Sequence, residues 1–168
     1  TRSVILEAAV AGSVVLDAQV LTFSDANARR VLRINPGSSS DVVQLIGLNI
    51  TGGYEQGGGV YVQGGTVAIS SCNIYGNSGM RGIGGGVYVC CGGCGGTASS
   101  CTVTITSSLI YGNTALHYGG GVAAWLGTLI ISSCTIRGNT ASRGGGLHNE
   151  LATTSIFNSE IYNNSAMI

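Results

Sequence analysis

The sequence contains no lysine, a single proline and very little charge of either sign. Charged residues make up 8% of its 168 residues, and seven basic side chains balance seven acidic ones to a formal net charge of zero. Such a chain lacks the positive field with which proteins attract nucleic acid, so we expect no nucleic-acid partner. No apolar run approaches the roughly 18 residues of a membrane-spanning helix, so we expect no membrane span in this segment. The scarcity of proline excludes collagen.

Glycine, in contrast, is abundant, and its positions are regular. The chain has 29 glycines, and its apolar residues, at 44%, are numerous enough to bury a core. Twelve of the glycines fall in four triads, which start at Gly57, Gly84, Gly119 and Gly144 and are separated by 27, 35 and 25 residues. A period of this length indicates a repeat protein.

Each glycine triad opens a unit of three short segments. In the first unit these are the apolar strand 60–62, a strand that begins with Thr66, and the segment 72–77, which ends in Asn. The strands alternate with period two, and no helical periodicity intervenes, so each strand is expected to pair in parallel with its equivalent one coil away. With weaker matches upstream, we predict an all-β fold: a single-domain parallel β-helix (a solenoid) over residues 1–168, with about six coils of roughly 25–28 residues. The chain stops within a repeat and starts without a signal peptide, so we expect it to be a piece of a longer one.

Stacking turns each repeat position into a column. Inward positions are predicted for three apolar columns and for one mixed column, which are Val60/Val87/Val122/Leu147, Ile69/Ile105/Ile131/Ile156, Ile74/Ile110/Ile136/Ile161 and Leu48/Cys72/Ser108/Cys134/Ser159. Cys72 and Cys134 lie two coils apart, too far for a bond, so we expect buried free thiols. A structural ladder, in which each amide bonds the next, is predicted for Asn77, Asn113, Asn139 and Asn164. The Gly before each ladder Asn, replaced by Asn163 in the last unit, is expected to adopt a left-handed backbone conformation.

One unit carries a Cys-rich loop insert at residues 91–100. The four cysteines in and beside it allow three pairings, of which we favour Cys90–Cys101 with Cys91–Cys94; a zinc site of four thiolates is the alternative. Disulfides imply an oxidising compartment, and the glycosylation sequons at Asn49 and Asn163 agree with it. We therefore predict an extracellular or cell-surface location.

The outward columns suggest two contact surfaces. Regular threonine rows on a flat face can order water, which makes ice binding one hypothesis for Thr66, Thr102, Thr128 and Thr153; a solvated β surface is the alternative. A second outward column holds Tyr75, Tyr111, Arg137 and Tyr162, whose tyrosines could form either a stacking platform for glycan or an aromatic ladder that stiffens the sheet. Tyr61 and Tyr88 are predicted to face outward on the third sheet.

Residues that could perform catalysis are sparse. The seven carboxylates lie in different columns, and the nearest acid–base constellation is Arg143, His148 and Glu150. Arg81, His117 and Arg143 lie in the variable loops between the Asn ladder and the next triad, where a binding surface would vary. We expect no catalytic residues, no cofactor and no metal site.

The repeat resembles a known one. The pattern Gly-Gly-Gly-Val-Tyr-Val, then Thr-Val-x-Ile, then Cys-x-Ile-x-Gly-Asn is similar to the repeats of right-handed parallel β-helix proteins of the pectate-lyase-like superfamily, and especially to those of chlamydial polymorphic outer membrane proteins. The resemblance implies a right-handed, single-stranded β-helix. No position matches the calcium-binding aspartates of the lyases in that superfamily, so the resemblance is specific for the fold and weak for function.

Together these observations predict a non-enzymatic extracellular or cell-surface module that acts as a structural rod, a filament component or an adhesion surface. Its expected partners are further coils of the same chain or other copies of it in self-assembly. One alternative is a carbohydrate-binding protein or polysaccharide-lyase-like enzyme that uses the tyrosine column or the Arg143, His148 and Glu150 group. The second alternative is an ice-binding protein.

Overall fold

A computed structural model describes residues 3–18, 29–36, 38–80, 82–92 and 101–167. The strands of the first three coils are, in chain order, β1 (Ser3–Glu7), β2 (Val14–Asp17), β3 (Leu32–Ile34), β4 (Val42–Ile46), β5 (Leu48–Thr51), β6 (Val60–Val62), β7 (Thr66–Ser70), β8 (Asn73–Tyr75), β9 (Ser78–Gly79) and β10 (Val87–Cys90). The strands of the next three coils are β11 (Thr102–Thr106), β12 (Leu109–Tyr111), β13 (Thr114–Ala115), β14 (Val122–Trp125), β15 (Thr128–Ser132), β16 (Thr135–Arg137), β17 (Thr140–Ala141), β18 (Leu147–Glu150), β19 (Thr153–Phe157), β20 (Glu160–Tyr162) and β21 (Ser165–Ala166).

The strands form four parallel sheets, each assembled from equivalent strands of successive coils. Sheet 1 has the order β1-β4-β7-β11-β15-β19, sheet 2 β2-β5-β8-β12-β16-β20, sheet 3 β3-β6-β10-β14-β18, and sheet 4 β9-β13-β17-β21. The register joins equivalent residues, as in the pairs of Ile105 with Ile69 and with Ile131. The predicted all-β parallel β-helix of six coils is therefore confirmed.

A fourth strand per coil was not predicted. The residue after each ladder Asn continues in extended backbone, and its amide donates to a carbonyl one coil earlier, as Thr114 N does to Asn77 O at 2.9 Å. From the third coil on, this hydrogen bond adds a two-residue strand at the corner between sheets 2 and 3.

The interior is a narrow column of aliphatic side chains. Ile69, Ile105 and Ile131 have no exposed surface, and the same holds for the inward residues of sheets 2 and 3 in the central coils. In the sixth coil the corresponding Ile156 and Ile161 are 41% and 43% exposed. Burial therefore depends on a neighbouring coil on both sides, as expected for a solenoid.

The glycine triads permit the closest approach between coils. A Cβ atom added to Gly86 would lie 2.6 Å from the carbonyl oxygen of Gly121 and 3.0 Å from the side chain of Asn113. No other residue fits there, because adjacent coils are separated by only about 4.8 Å. The triads therefore mark tight corners and are not flexible linkers.

Candidate functional site

The four ladder asparagines form a continuous chain of hydrogen bonds along one edge of the core. Asn113 Oδ1 accepts from both the backbone N and the Nδ2 of Asn77, each at 3.0 Å, and Asn113 Nδ2 donates to the carbonyl of Ile74 at 2.9 Å. Asn139 and Asn164 repeat this arrangement in the next two coils. Within the described residues, no buried side-chain nitrogen or oxygen lacks a partner. The ladder is structural, because its polar atoms form hydrogen bonds with one another and with the backbone.

The Cys/Ser column faces the core. The hydroxyl of Ser108 accepts from the backbone N of Cys72 at 3.1 Å, and Ser159 does the same for Cys134. Cys72 and Cys134 are buried free thiols. Burial raises the pKa of both thiols above the ordinary range, although hydrogen bonds from nearby backbone groups partly oppose this effect. Neutral, buried thiols of this kind are poor nucleophiles.

The predicted disulfide pairing is wrong. Cys101 is bonded to Cys91, with the two Cα atoms 5.7 Å apart, so neither the Cys90–Cys101 nor the Cys91–Cys94 pair forms. Adjacent residues of a strand point to opposite faces. Cys90, the last residue of β10, packs outside with Tyr88, whereas Cys91 and Cys101 belong to the core cluster. Two bonded sulfurs cannot be thiolate ligands, so a zinc site of all four cysteines is excluded; Cys94 lies outside the described residues.

The outward side of sheet 1 is uncharged from the second coil onward. We call it the sheet 1 face; its three columns are Val42/Thr66/Thr102/Thr128/Thr153, Gln44/Ala68/Thr104/Ile130/Ser155 and Ile46/Ser70/Thr106/Ser132/Phe157. Most of these side chains carry a hydroxyl group, and four consecutive coils place threonine in the first column. The register puts the hydroxyls into rows that repeat at the coil spacing of about 4.8 Å.

The tyrosine column on sheet 2 is an aromatic ladder in its central part. The rings of Tyr75 and Tyr111 stack with centroids 5.1 Å apart and planes 13° from parallel. The guanidinium of Arg137 covers the other face of Tyr111, 5.3 Å from its centroid, and separates it from Tyr162. Sugar rings stack on the faces of aromatic rings, and both faces of Tyr111 are occupied. The geometry therefore favours the stiffening ladder over a glycan platform.

Tyr61 and Tyr88 lie on the outward side of sheet 3, as predicted, but they are buried there and not exposed to solvent. Tyr61 and Tyr88 stack at 5.1 Å and are 5% and 0% exposed. They form a small second cluster with Cys90 and Ala123, against which Ile83 and Trp125 pack. Ile83 lies directly before the second glycine triad, and its side chain packs over the outward side of the sheet. Strand alternation gives the side of the sheet on which a ring lies, but it does not show whether a neighbouring segment covers that ring.

A polar cluster lies at the corner between sheets 4 and 3 in the fourth and fifth coils. The ring of Tyr118 is 4.6 Å from that of His148, and the guanidinium of Arg143 lies 5.7 Å from the Tyr118 centroid. His148 Nε2 is 3.3 Å from Glu150 Oε2. The structure thus joins Arg143 to His148 and Glu150 through Tyr118.

Tyr118 was missed by the sequence analysis, although a signal for it existed. It occupies the position directly before a glycine triad, and this position forms the bridged column Ile83, Tyr118, Arg143. An alignment of the residues that precede the triads would have placed the aromatic ring beside the arginine.

The cluster is poorly arranged for acid–base catalysis. A cavity of about 160 Å³ lies beside it, lined by His117, Tyr118, Ser142 and Arg143. His148 and Glu150 do not line this cavity, and side-chain exposures of 20% and 42% leave their pair in contact with solvent. The His148–Glu150 pair is therefore separate from the cavity, and the lining residues include the imidazole of His117 but no carboxylate to pair with it. Arg81 lies outside the described residues.

Further chemistry is sparse in the part of the chain that the structure describes. No group of three or more His, Cys, Asp or Glu side chains there could hold a metal ion. Arg30 pairs with Glu55 at 3.7 Å and stacks on Tyr61, away from the polar cluster. Within the same residues, no helix has the length and apolarity needed to cross a bilayer.

The two glycosylation sequons lie in different environments. Asn49 is a half-buried residue of β5, and its side chain bonds the carbonyl of Gly12 and the amide of Asn73. Asn163 is exposed at the corner after β20 and has a φ of 52°. The glycines at the equivalent corners, such as Gly112, share this left-handed backbone.

Comparisons with protein-family models, with curated proteins and with solved structures find no match to this chain.

Proposed function

We propose that the chain is a non-enzymatic module of an extracellular or cell-surface protein, a stiff β-helix rod whose sheet 1 face is an adhesive contact surface. The observation that carries this proposal is the face itself, which is uncharged over five coils and presents hydroxyl groups in register over the last four of them. A repeating β surface of this kind complements an extended, repeating surface better than it complements a small molecule, because small-molecule sites are concave and enclose their ligand.

Three further features are consistent with a rigid rod beneath that surface. The Asn ladder and the stacked tyrosines bond neighbouring coils to each other along the axis. The Cys91–Cys101 disulfide closes the base of the long insert. Disulfides of this kind persist in oxidising compartments, which supports a location outside the cytosol.

Adsorption of the full chain to crystalline cellulose and to chitin tests this proposal. We expect adsorption to at least one of them, loss of adsorption with Thr104→Lys at the centre of the sheet 1 face, and no loss with Thr135→Lys, the matched change on sheet 2. Lysine at position 104 places a charged, mobile side chain on this face. No adsorption to either solid, equal losses in both variants, or release of unsaturated sugar products from an acidic polysaccharide would contradict the proposal.

Ice binding is a second candidate, favoured by one observation. Thr66, Thr102, Thr128 and Thr153 are paired in register without interruption, so their methyl and hydroxyl groups form a straight row at the coil spacing. Such a row can hold water molecules in a lattice. The neighbouring column, in contrast, contains Ala68 and Ile130 and is irregular.

Thermal hysteresis distinguishes the two candidates. An ice-binding protein would separate the freezing point from the melting point and lose this effect with Thr104→Lys but not with Thr135→Lys. Adsorption to polysaccharide without thermal hysteresis would support the adhesive module and exclude the ice-binding function.

A further inference from the structure

We propose that Asn163 is an N-glycosylation site of this protein and that Asn49, despite its matching sequon, is not. The inference rests on the extracellular location in the proposed function, since the modifying enzymes act in the secretory pathway. Both sequons have the required residue two positions on, Ser165 and Thr51. The structure distinguishes them by what surrounds each amide.

Asn163 occupies a corner column whose side chains project into solvent. The equivalent residues of the three preceding coils, Gly76, Gly112 and Gly138, are all exposed. A Cβ atom added to Gly112 would have no heavy atom within 4 Å. At Gly138 the nearest heavy atom would be 4.0 Å away, and only at Gly76 would one, Thr51 Oγ1, lie closer, at 3.2 Å. Since Gly112 has coils on both sides, the open space there does not depend on Asn163 lying in the sixth coil.

The backbone and the bonding of Asn163 also leave its amide available. Its φ of 52° lies in the left-handed region that Asn tolerates better than most residues. Its carbonyl accepts from Gly138 N at 3.0 Å, and its side chain makes no hydrogen bond within the described part of the chain. The ladder is carried by the next residue, Asn164, so a sugar on Asn163 leaves the core hydrogen bonds intact.

Asn49 lies in the opposite situation, in the middle of β5 with strands on both sides. Its Nδ2 donates to the Gly12 carbonyl at 2.8 Å, and its Oδ1 accepts from Asn73 Nδ2 at 2.8 Å. A sugar on that nitrogen would have to fit between the strand and the turn at Gly12. A chain modified at Asn49 would therefore have to fold without these two contacts.

The reaction joins Asn Nδ2 to the anomeric carbon of a lipid-linked oligosaccharide. The bond between that carbon and the lipid pyrophosphate breaks, the pyrophosphate leaves with its electron pair, and the amide nitrogen gives up one proton. Since the transfer precedes folding, the fold selects afterwards which modified chains are secreted. The sugar on Asn163 lies between β20 and β21, at the corner of sheets 2 and 4, and leaves the sheet 1 face uncovered.

Secretion of the full chain from a eukaryotic cell line, followed by peptide-N-glycosidase treatment in heavy-oxygen water and peptide mass spectrometry, tests the inference. We expect the isotope-labelled conversion of Asn to Asp at position 163 in most secreted molecules and at position 49 in few. Ser165→Ala should abolish the labelled conversion at position 163, and Ser165→Thr should retain it. Thr51→Ala should leave the conversion at position 163 unchanged.

Gly138→Asn provides the matched variant inside the rod. It creates a second sequon with Asn139 and Thr140 in the same corner column, and we expect it to add one more glycan. An unmodified Asn163 in secreted protein that contains the Cys91–Cys101 disulfide would overturn the inference and leave the proposed function standing. A glycan on Asn49 in a chain of unchanged thermal stability would also overturn it. A secreted chain in which the disulfide fails to form would count against the proposed extracellular location instead.

Discussion

Each ladder asparagine performs at a corner the task that backbone pairing performs in a sheet. Asn113 has no exposed surface, and its side chain bonds Asn77, Ile74 and Asn139. Aspartate could not replace it, because the nitrogen must donate while the oxygen accepts. The two functions of the amide explain why this residue type recurs once per coil.

Replacement of Asn113 by Ala should therefore be costly. Several buried donors and acceptors would lose their partners, and we expect the free energy of unfolding to fall by about 2–4 kcal/mol. Denaturant unfolding measures it. Asn73→Ala, on the outward side of β8, is the control; it removes a single half-buried hydrogen bond, to Asn49, and should cost about 1 kcal/mol. Equal losses in the two variants would mean that the ladder contributes no more than a surface amide.

The buried thiols predict a specific response to alkaline pH. Burial raises the pKa of Cys72 and Cys134 in the folded state, whereas an unfolded thiol ionises near its ordinary pKa of about 8.5. As the pH rises above about 8.5, the unfolded chain loses protons that the folded chain retains, so the free energy of unfolding falls. Below that pH the two thiols contribute no pH dependence.

A variant with both Cys72→Ser and Cys134→Ser should lose this part of the alkaline destabilisation. Serine already occupies the same column at Ser108, so the fold accommodates it. Urea unfolding at neutral pH and at about pH 10 gives the comparison. Parallel pH profiles for the variant and the original chain would show that these thiols do not cause the effect.

At the scale of strands and turns, the glycines fall into two kinds with different demands. Gly86 is required because its neighbours leave no room for a Cβ atom, whereas Gly112 is favoured only by its φ of 61°. We expect Gly86→Ala to destabilise the chain by more than about 3 kcal/mol, since backbone atoms would have to move apart. Gly112→Asn, which copies the sixth coil, should cost less than about 1 kcal/mol. Thermal unfolding of the two variants, produced without glycosylation, checks the order.

The disulfide stabilises the connection between β10 and β11. Cys91 and Cys101 are ten residues apart, and closing a loop of that length stabilises the fold by about 2–3 kcal/mol. The double variant Cys91→Ser with Cys101→Ser should lose this amount in denaturant unfolding. Reductant should lower the stability of the original chain to that of the variant and leave the variant unchanged; a drop in the variant would indicate a different bond.

The elements show where prediction from sequence succeeds and fails. Alternation with period two correctly placed Ile105 and its column in the core, since the alternation itself records which side is buried. It did not show which of Cys90 and Cys91 is bonded to Cys101, because both cysteines lie at the base of the same loop. Tyr88 lies on the outward side, as its place in the alternation predicts, yet Tyr61, Ile83 and Trp125 pack around it and bury it there.

For the whole molecule, stability should be greatest in the central coils. Ile105 and Ile156 share one column, but the first has no exposed surface and the second is 41% exposed. We expect Ile105→Ala to cost about 2–5 kcal/mol and Ile156→Ala well under half of that. Urea unfolding of the two variants provides the measurement, and amide hydrogen exchange should show the same gradient. Equal costs would indicate that the sixth coil is as tightly packed as the fourth.

The sequence alone determined the architecture of this chain, because a solenoid repeats each local rule once per coil. Glycine triads, alternating aliphatic residues and corner asparagines each need only a neighbour one coil away. The tertiary structure decided the contacts that cross between columns: the Cys91–Cys101 bond, the buried tyrosines of sheet 3 and the grouping of Tyr118 with Arg143 and His148. Those contacts depend on the conformations of loops that differ in length from coil to coil, and the repeat pattern does not specify these conformations. The sequence shows that charge is scarce, but only the fold shows where this matters: the register places the uncharged residues of sheet 1 on one continuous face.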